Sequence, residues 1–381
     1  MRKIQLLSAI TTFILFINQS YAAGAHDHSA HSDNDSYAHL DFKIHFDSIT
    51  KADEADEEIN ETYSHSHFEW GINLNDNFSI HSNLKLEGES SGHSHGHAEE
   101  EAEHSSGDRF LEEHPLFVSK LIINYKNEDF SAYAGKFNPI VGFDYHQFPG
   151  VFGYQTIEGY AIRERLGVGA IFKNDLGDYG KHQLNVSSFF ADTTALSNSI
   201  LHRRGATKRA DGGVSNTEKL SSFAVSLGGK DFYSLNNNIA EGLSYQVGYA
   251  KQAAGDNNEK DESRHSLSLG YQQKISQDLS TEFVFEHMDI KYLSGEAEHN
   301  RIYDTLSAQL NYQKWNWVIS RTAINNQAAE ADENHDGSVT QLSAGYSFDN
   351  GIDIDIAKQR SDQDNEITER VGIALSYSLE F

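Results

Sequence analysis

Apolar and polar residues alternate along most of this chain with a period of two. Near the end, Val371, Ile373, Leu375, Tyr377, Leu379 and Phe381 interleave with Gly372, Ala374, Ser376, Ser378 and Glu380. Successive side chains of a strand point to opposite faces, so this segment has one apolar face and one small or polar face. The same alternation sets Leu40, Phe42, Ile44 and Phe46 against Asp41, Lys43, His45 and Asp47, and Phe68, Trp70, Ile72 and Leu74 against His67, Glu69 and Asn73. Asn75, Asp76 and Asn77 then make a tight turn, and Phe78, Ile80, Leu84 and Leu86 mark the next strand. Further pairs are predicted at 117–125 with 130–137, 166–172 with 184–190, 223–227 with 243–249, 267–271 with 283–290, 306–312 with 315–319, and 342–348 with 352–356. The tally is about sixteen strands, with fourteen to eighteen as the bounds, since strand ends are hard to place from pattern alone.

Strand pairs joined by short turns and separated by long polar loops predict an all-β chain, a transmembrane antiparallel β-barrel. The apolar face meets lipid and the polar face lines a lumen, which at this strand number holds water rather than a packed core. Only three prolines occur, Pro115, Pro139 and Pro149, so most strands run uninterrupted. A soluble β-sandwich or solenoid is the competing fold. It needs continuous apolar inner faces and does not account for so many separate hairpins.

Residues 1–22 carry Arg2 and Lys3, an apolar run from Ile10 to Ile17, and then small residues, the plan of a secretory signal peptide. Residues 23–36 form a polar, histidine-bearing leader, and the barrel is expected over 37–381. Loss of Arg2 and Lys3 with the signal takes the formal charge from −27 to −29. So acidic a chain disfavours nucleic acid as a partner and attracts cations. Absence of cysteine removes disulfides and thiolate metal sites.

Histidine carries the sharpest candidate chemistry. His93, His95, His97 and His104 stand among Glu99, Glu100, Glu101 and Glu103 in a long loop with glycines at 92 and 96. Imidazole ligates zinc, copper and nickel, and carboxylates complete such shells, so Zn2+ is expected here, with Cu2+ or Ni2+ as alternatives. His26, His28 and His31, and His65 with His67, repeat the chemistry. An ordinary solvated polar loop is the plainer reading of these stretches. Asp332, Asn334, Asp336 and Gly337 open like a calcium loop, but position twelve is Ser343 instead of glutamate, which favours a plain loop. Arg203, Arg204, Lys208 and Arg209 form a basic cluster suited to an anion, either in the lumen or on lipopolysaccharide outside, unless the acidic loops pair with it. Residues 138–158 combine Pro139, Gly142, Pro149, Gly150 and Gly153 with Phe143, Tyr145, Phe148, Phe152 and Tyr154. That composition suits a compact loop folded into the pore, with Phe143, Asp144, Tyr145 and His146 at the constriction. A loop packed on the rim is the alternative. No spacing of serine, histidine and acid singles out a catalytic triad, and no enzyme activity is expected.

Gly135-Lys136-Phe137-Asn138-Pro139 followed by Gly142 resembles the strand-to-loop segment of phosphate-selective and related porins of the Gram-negative outer membrane. The final strand, ending on Phe381, resembles the signal that the barrel-assembly machinery recognises. The resemblance implies a porin passing small hydrophilic solutes, in contact with outer-membrane lipid and lipopolysaccharide, and a homotrimer. It does not extend to phosphate, because no ladder of arginine and lysine runs along the strands. The expected function is therefore an outer-membrane porin whose histidine- and acid-rich loops concentrate a divalent metal. An anion or siderophore porin with incidental histidines, and a soluble periplasmic metal-binding protein, are the rivals.

Overall fold

In the computed structural model the described residues are 36–53, 57–88, 107–112, 114–202, 204–233, 242–327, 336–363 and 366–381. They form strands β1 (Tyr37–Lys51), β2 (Asn60–Asn73), β3 (Phe78–Glu87), β4 (Arg109–Phe110), β5 (Leu116–Lys126), β6 (Phe130–Phe137), β7 (Arg165–Asp175), β8 (Lys181–Ala191), β9 (Ser199–Leu201) and β10 (Ser222–Lys230). The series continues with β11 (Leu243–Gln252), β12 (Glu262–Lys274), β13 (Leu279–Lys291), β14 (Asn300–Tyr312), β15 (Trp315–Gln327), β16 (Gly337–Ser347), β17 (Ile352–Gln363) and β18 (Glu366–Glu380). One eight-residue helix, α1 (Gly153–Tyr160), lies between β6 and β7.

Each long strand pairs antiparallel with the next, and β18 pairs with β1 through Phe42↔Tyr377, His45↔Ala374 and Asp47↔Gly372. That last pairing closes the wall, so no sheet edge is left and the backbone groups of the wall are bonded to one another. Sixteen strands make the wall, as the alternation predicts. The other two, β4 and β9, are short additions within the long loops, β4 beside β2 and β9 beside β5. A soluble sandwich, solenoid or periplasmic binding fold is overturned by this closure.

The outward face is apolar. Ile123, Phe172, Val247, Phe283, Ile319, Leu342 and Ile356 are all exposed on it. A soluble protein would bury such residues; a bilayer accepts them. Aromatic rings gather where the short turns lie: Phe78 and Tyr125 are 5.1 Å apart, Phe130 and Phe172 5.2 Å, and Trp315 and Tyr346 4.8 Å. This is the aromatic girdle of a spanning barrel. Inward positions are small or polar, among them Ser187, Ser226, Ser266, Ser268, Thr305 and Thr322, all buried.

β6 ends in an irregularity that the sequence marks. Gly135 has φ +137°, and a Cβ there would run into the carbonyl oxygen of Leu121 on β5. Only glycine takes that backbone conformation freely. Just beyond it the chain leaves the wall and turns inside.

Candidate functional site: a loop pinned across the lumen

Residues 138–164 fold into the barrel. The Glu164 backbone N–H donates to Asn138 Oδ1 at 2.9 Å and closes the base of the loop. Phe148, Val151, Phe152 and Ile157 are almost wholly buried. The loop therefore packs against the interior of the wall, and the rim alternative is not what the structure holds. It also runs six residues past the predicted end at 158. Its helix α1 was not predicted: the segment is short and holds glycine at both 153 and 159.

The far wall grips the loop by polar contacts. Glu286 on β13 accepts from the Phe143 N–H at 2.7 Å, from the Tyr160 hydroxyl at 2.8 Å and from Ser268 Oγ at 2.6 Å. One carboxylate thus holds both the start and the end of the infolded segment. Gly142 lies close under it, and a Cβ there would push the same carboxylate out of place. Val141 presents its carbonyl to Ser266 Oγ at 2.8 Å and to Gln246 Nε2 at 3.1 Å. On β16, Gln341 accepts from the Phe152 N–H at 2.9 Å and donates to the Pro149 carbonyl at 2.9 Å.

The near wall, β1 to β3, grips it by charge. Lys85 Nζ lies 3.2 Å from Glu158 on α1 and 3.6 Å from Glu87. Arg163 also pairs with Glu158. Burial pushes the Glu158 carboxyl up, but Lys85 and Arg163 outweigh it and hold the group below its ordinary value. At the base of the loop, burial likewise opposes ionisation of Glu164, yet Arg204 and Lys136 hold it down at about 2. Lys136 bridges Glu164 at 2.8 Å and Asp192 at 3.0 Å. Burial raises the Tyr145 and Tyr154 hydroxyls above their ordinary range.

The candidate constriction residues stand on this loop. Asp144 caps the 3₁₀ turn Tyr145–Gln147 by accepting from the His146 N–H at 2.9 Å, and it meets the His146 ring at 2.8 Å. Phe143 and Tyr145 are buried, while Asp144 and His146 are part-exposed. Tyr145 lies under the Lys85 ammonium at 5.2 Å.

The two described candidate metal histidines face inward on β2. His65 Nδ1 is 3.0 Å from Glu87, and His67 Nε2 is 2.9 Å from Asp41, which His39 also meets at 2.9 Å. His67 lies 5.8 Å from the His146 ring. His65, Glu87 and Glu158 bring ligand atoms within 4.8 Å of one another. Lys85 already supplies a positive charge to both carboxylates, so the cluster reads as a buried ion-pair network. His26, His28, His31, His93, His95, His97 and His104 lie outside the described residues, as does Arg203. Of the basic cluster, Arg204 pairs with Glu164 at 3.0 Å and stacks 3.6 Å above Phe117, and Arg209 pairs with Asp256 at 3.2 Å. Lys208 is exposed beside Arg209. Sequence reasoning missed Glu286 and Gln341; their isolated polar letters on inward positions of β13 and β16 give no hint of a partner so far away in the chain.

No protein-family model and no curated relative matches the chain. Solved structures do. OmpF of Salmonella typhi, in complex with daunomycin, superposes with a TM-score of 0.57 at 13% identity, covering 91% of this chain and 98% of that one. The outer-membrane channel DcaP of Acinetobacter baumannii gives 0.54 at 12% identity, over 91% and 97%. The trimer form of OmpT, an outer-membrane protein of Vibrio cholerae, gives 0.51 at 12% identity, over 91% and 98%. At these identities the likeness is one of fold: this chain has the barrel architecture of outer-membrane porins.

Proposed function

We propose that the protein is an outer-membrane porin that passes small hydrophilic solutes by diffusion. One observation carries the reading: a closed barrel with a polar inner wall holds, inside it, a loop that is pinned on both sides. Phe143, Asp144, Tyr145 and His146 belong to the narrowed zone. The outer-membrane channel DcaP and the other barrels named above share the fold, and the apolar outer band suits the bacterial outer membrane. Refolded protein in liposomes should let small sugars enter and swell the vesicles. Vesicles that stay impermeable would overturn the reading.

The solute class is finer and rests on charge. The net charge of −27 and the inward-facing Asp41 and Glu69 favour cations, and the histidine- and acid-rich loops add ligands for a divalent metal as cargo, zinc before copper or nickel. Lys43, Lys85 and Arg163 face the same interior, with Lys85 and Arg163 balanced by Glu158 and Glu87 together. Calorimetric zinc titration of the refolded chain, beside a variant with His93, His95, His97 and His104 changed to alanine, tests the loop; equal binding by both would move the site elsewhere. A homotrimer is proposed with this reading, in keeping with the trimer form of the OmpT structure, and the terminal strand is proposed as the signal to the barrel-assembly machinery.

A further inference from the structure

Where the infolded loop meets the near wall, two histidines from distant parts of the chain come together. His67 stands on an inward position of β2 and His146 in the 3₁₀ turn of the loop, with ring centres 5.8 Å apart and planes inclined by 60°. A carboxylate backs each ring. His67 Nε2 lies 2.9 Å from Asp41 Oδ2, and His146 Nδ1 lies 2.8 Å from Asp144 Oδ1. An ionised carboxylate only accepts, so both of those nitrogens carry a proton. In the neutral imidazoles the lone pairs then stand on His67 Nδ1 and His146 Nε2. His67 Nδ1 is buried and meets no hydrogen-bond partner among the described residues.

Metal-ligating histidines are supported in this way: one ring nitrogen donates its proton to a carboxylate and the other is presented to the ion. The supporting carboxylates are themselves fixed. Ser378 Oγ of β18 donates to the other oxygen of Asp41, and the His146 backbone N–H donates to Asp144 at 2.9 Å. The spacing fits as well. With bonds to nitrogen of about 2.0–2.1 Å, one zinc ion joining two imidazoles sets their ring centres roughly 5–6.5 Å apart, and 5.8 Å falls inside that interval. A purely structural pair would use its second nitrogens to tie loop to wall, and His67 Nδ1 ties to nothing among the described residues. Lys85, opposite His67 in the register, turns instead to Glu87 and Glu158. Two residues nearer the start of β1, His39 also meets Asp41 Oδ2 at 2.9 Å, opposite Glu69.

We propose that His67 and His146, backed by Asp41 and Asp144, form a transit site in the lumen for a divalent transition metal of the zinc type, with His39 as the next ligand toward the short-turn end of the barrel. The site rests on the reading of the protein as a porin with a divalent metal as cargo, and gives that cargo a place inside the pore. Two protein nitrogens leave the other positions of a four-coordinate ion to water, which suits an ion that must leave again.

The test is zinc block of single-channel potassium chloride current through the full chain, with His93, His95, His97 and His104 already changed to alanine so that the outer loop contributes nothing. The reading is the zinc concentration that halves each channel's own zinc-free current. This parent should be half-blocked by zinc at a concentration at least about tenfold below that of magnesium, which prefers oxygen ligands; the comparison needs no change to the site. His67→Gln combined with His146→Gln should bring the zinc value to within about twofold of the magnesium value. Equal block of the parent by the two metals, or a zinc value unmoved by the two substitutions, would overturn the site and leave the porin reading intact. Absence of any channel would sink the porin reading instead, and calorimetric zinc titration of the same two proteins then decides the site. One equivalent of zinc lost with the two histidines supports it; equal titrations overturn it.

Discussion

The inner faces of β1 to β3 and of β14 to β16 line the same lumen and are built from opposite chemistry. Asp41, Lys43, His45, Asp47, Glu61, His65, His67, Glu69, Lys85 and Glu87 point inward from the first group. From the second come Thr305, Ser307, Gln309, Asn316, Thr322, Gln341 and Ser343, with Arg301 as a lone charge at the long-loop end, hydrogen-bonded to Asn326. Their outer faces follow one apolar alternation, so lipid does not explain the difference. The infolded loop does. Glu158 of α1 needs a cation to be buried at all, and Lys85 answers it, whereas Pro149 and Phe152 offer only backbone groups, which one neutral amide on Gln341 satisfies. Each wall is matched to the part of the loop it receives.

This pairing predicts unequal damage. Lys85→Ala leaves buried Glu158 with Arg163 alone and buried Glu87 with His65, and should cost up to about 3–5 kcal/mol, read as a lower midpoint for loss of the heat-modifiable barrel. Gln341→Ala on the neutral wall leaves one backbone donor and one acceptor unpaired and should cost about 1–3 kcal/mol by the same measurement. Equal losses would mean that the two walls are not distinct in kind.

Selectivity sharpens the contrast further. Asp41→Asn combined with Glu69→Gln removes inward negative charge from the charged wall, so the reversal potential under a salt gradient should move toward anions. Gln309→Ala on the neutral wall should leave it in place.

The smallest effect expected is with pH. Glu164 is depressed from the ordinary carboxylate range to about 2. Its pairing with Arg204 and Lys136 therefore contributes fully above the unfolded value near 4.5 and is lost only as pH falls through about 2. Single-channel current should accordingly show no opening of the loop base between pH 7 and pH 4. A new high-conductance state in that window would place the weak point at this end of the loop.

Much of the wall was legible because a period-two pattern is local: each strand declares its two faces within ten residues or so. The inward turn of the chain after Phe137 was legible too, from proline, glycine and aromatic residues crowded together. What holds that loop was not. Glu286 meets Phe143 across 143 residues of sequence, and Gln341 meets Phe152 across 189. Nothing near an isolated inward glutamate or glutamine announces such a partner. β4 and β9 were missed for a different reason, being two and three residues long and held by neighbouring strands rather than by their own pattern. Arg204 was singled out as an anion ligand on charge alone, and the carboxylate it meets, Glu164, lies 40 residues away.

The central claim is that residues 138–164 narrow a water-filled barrel. Single-channel recording in planar bilayers tests it most directly, comparing wild type with a variant in which residues 144–158 are replaced by a short glycine-serine bridge. The account predicts that both form channels, that both migrate as folded barrels, and that the variant conducts severalfold more current. Equal conductance in the two proteins, or no conductance from a correctly folded wild type, would contradict it.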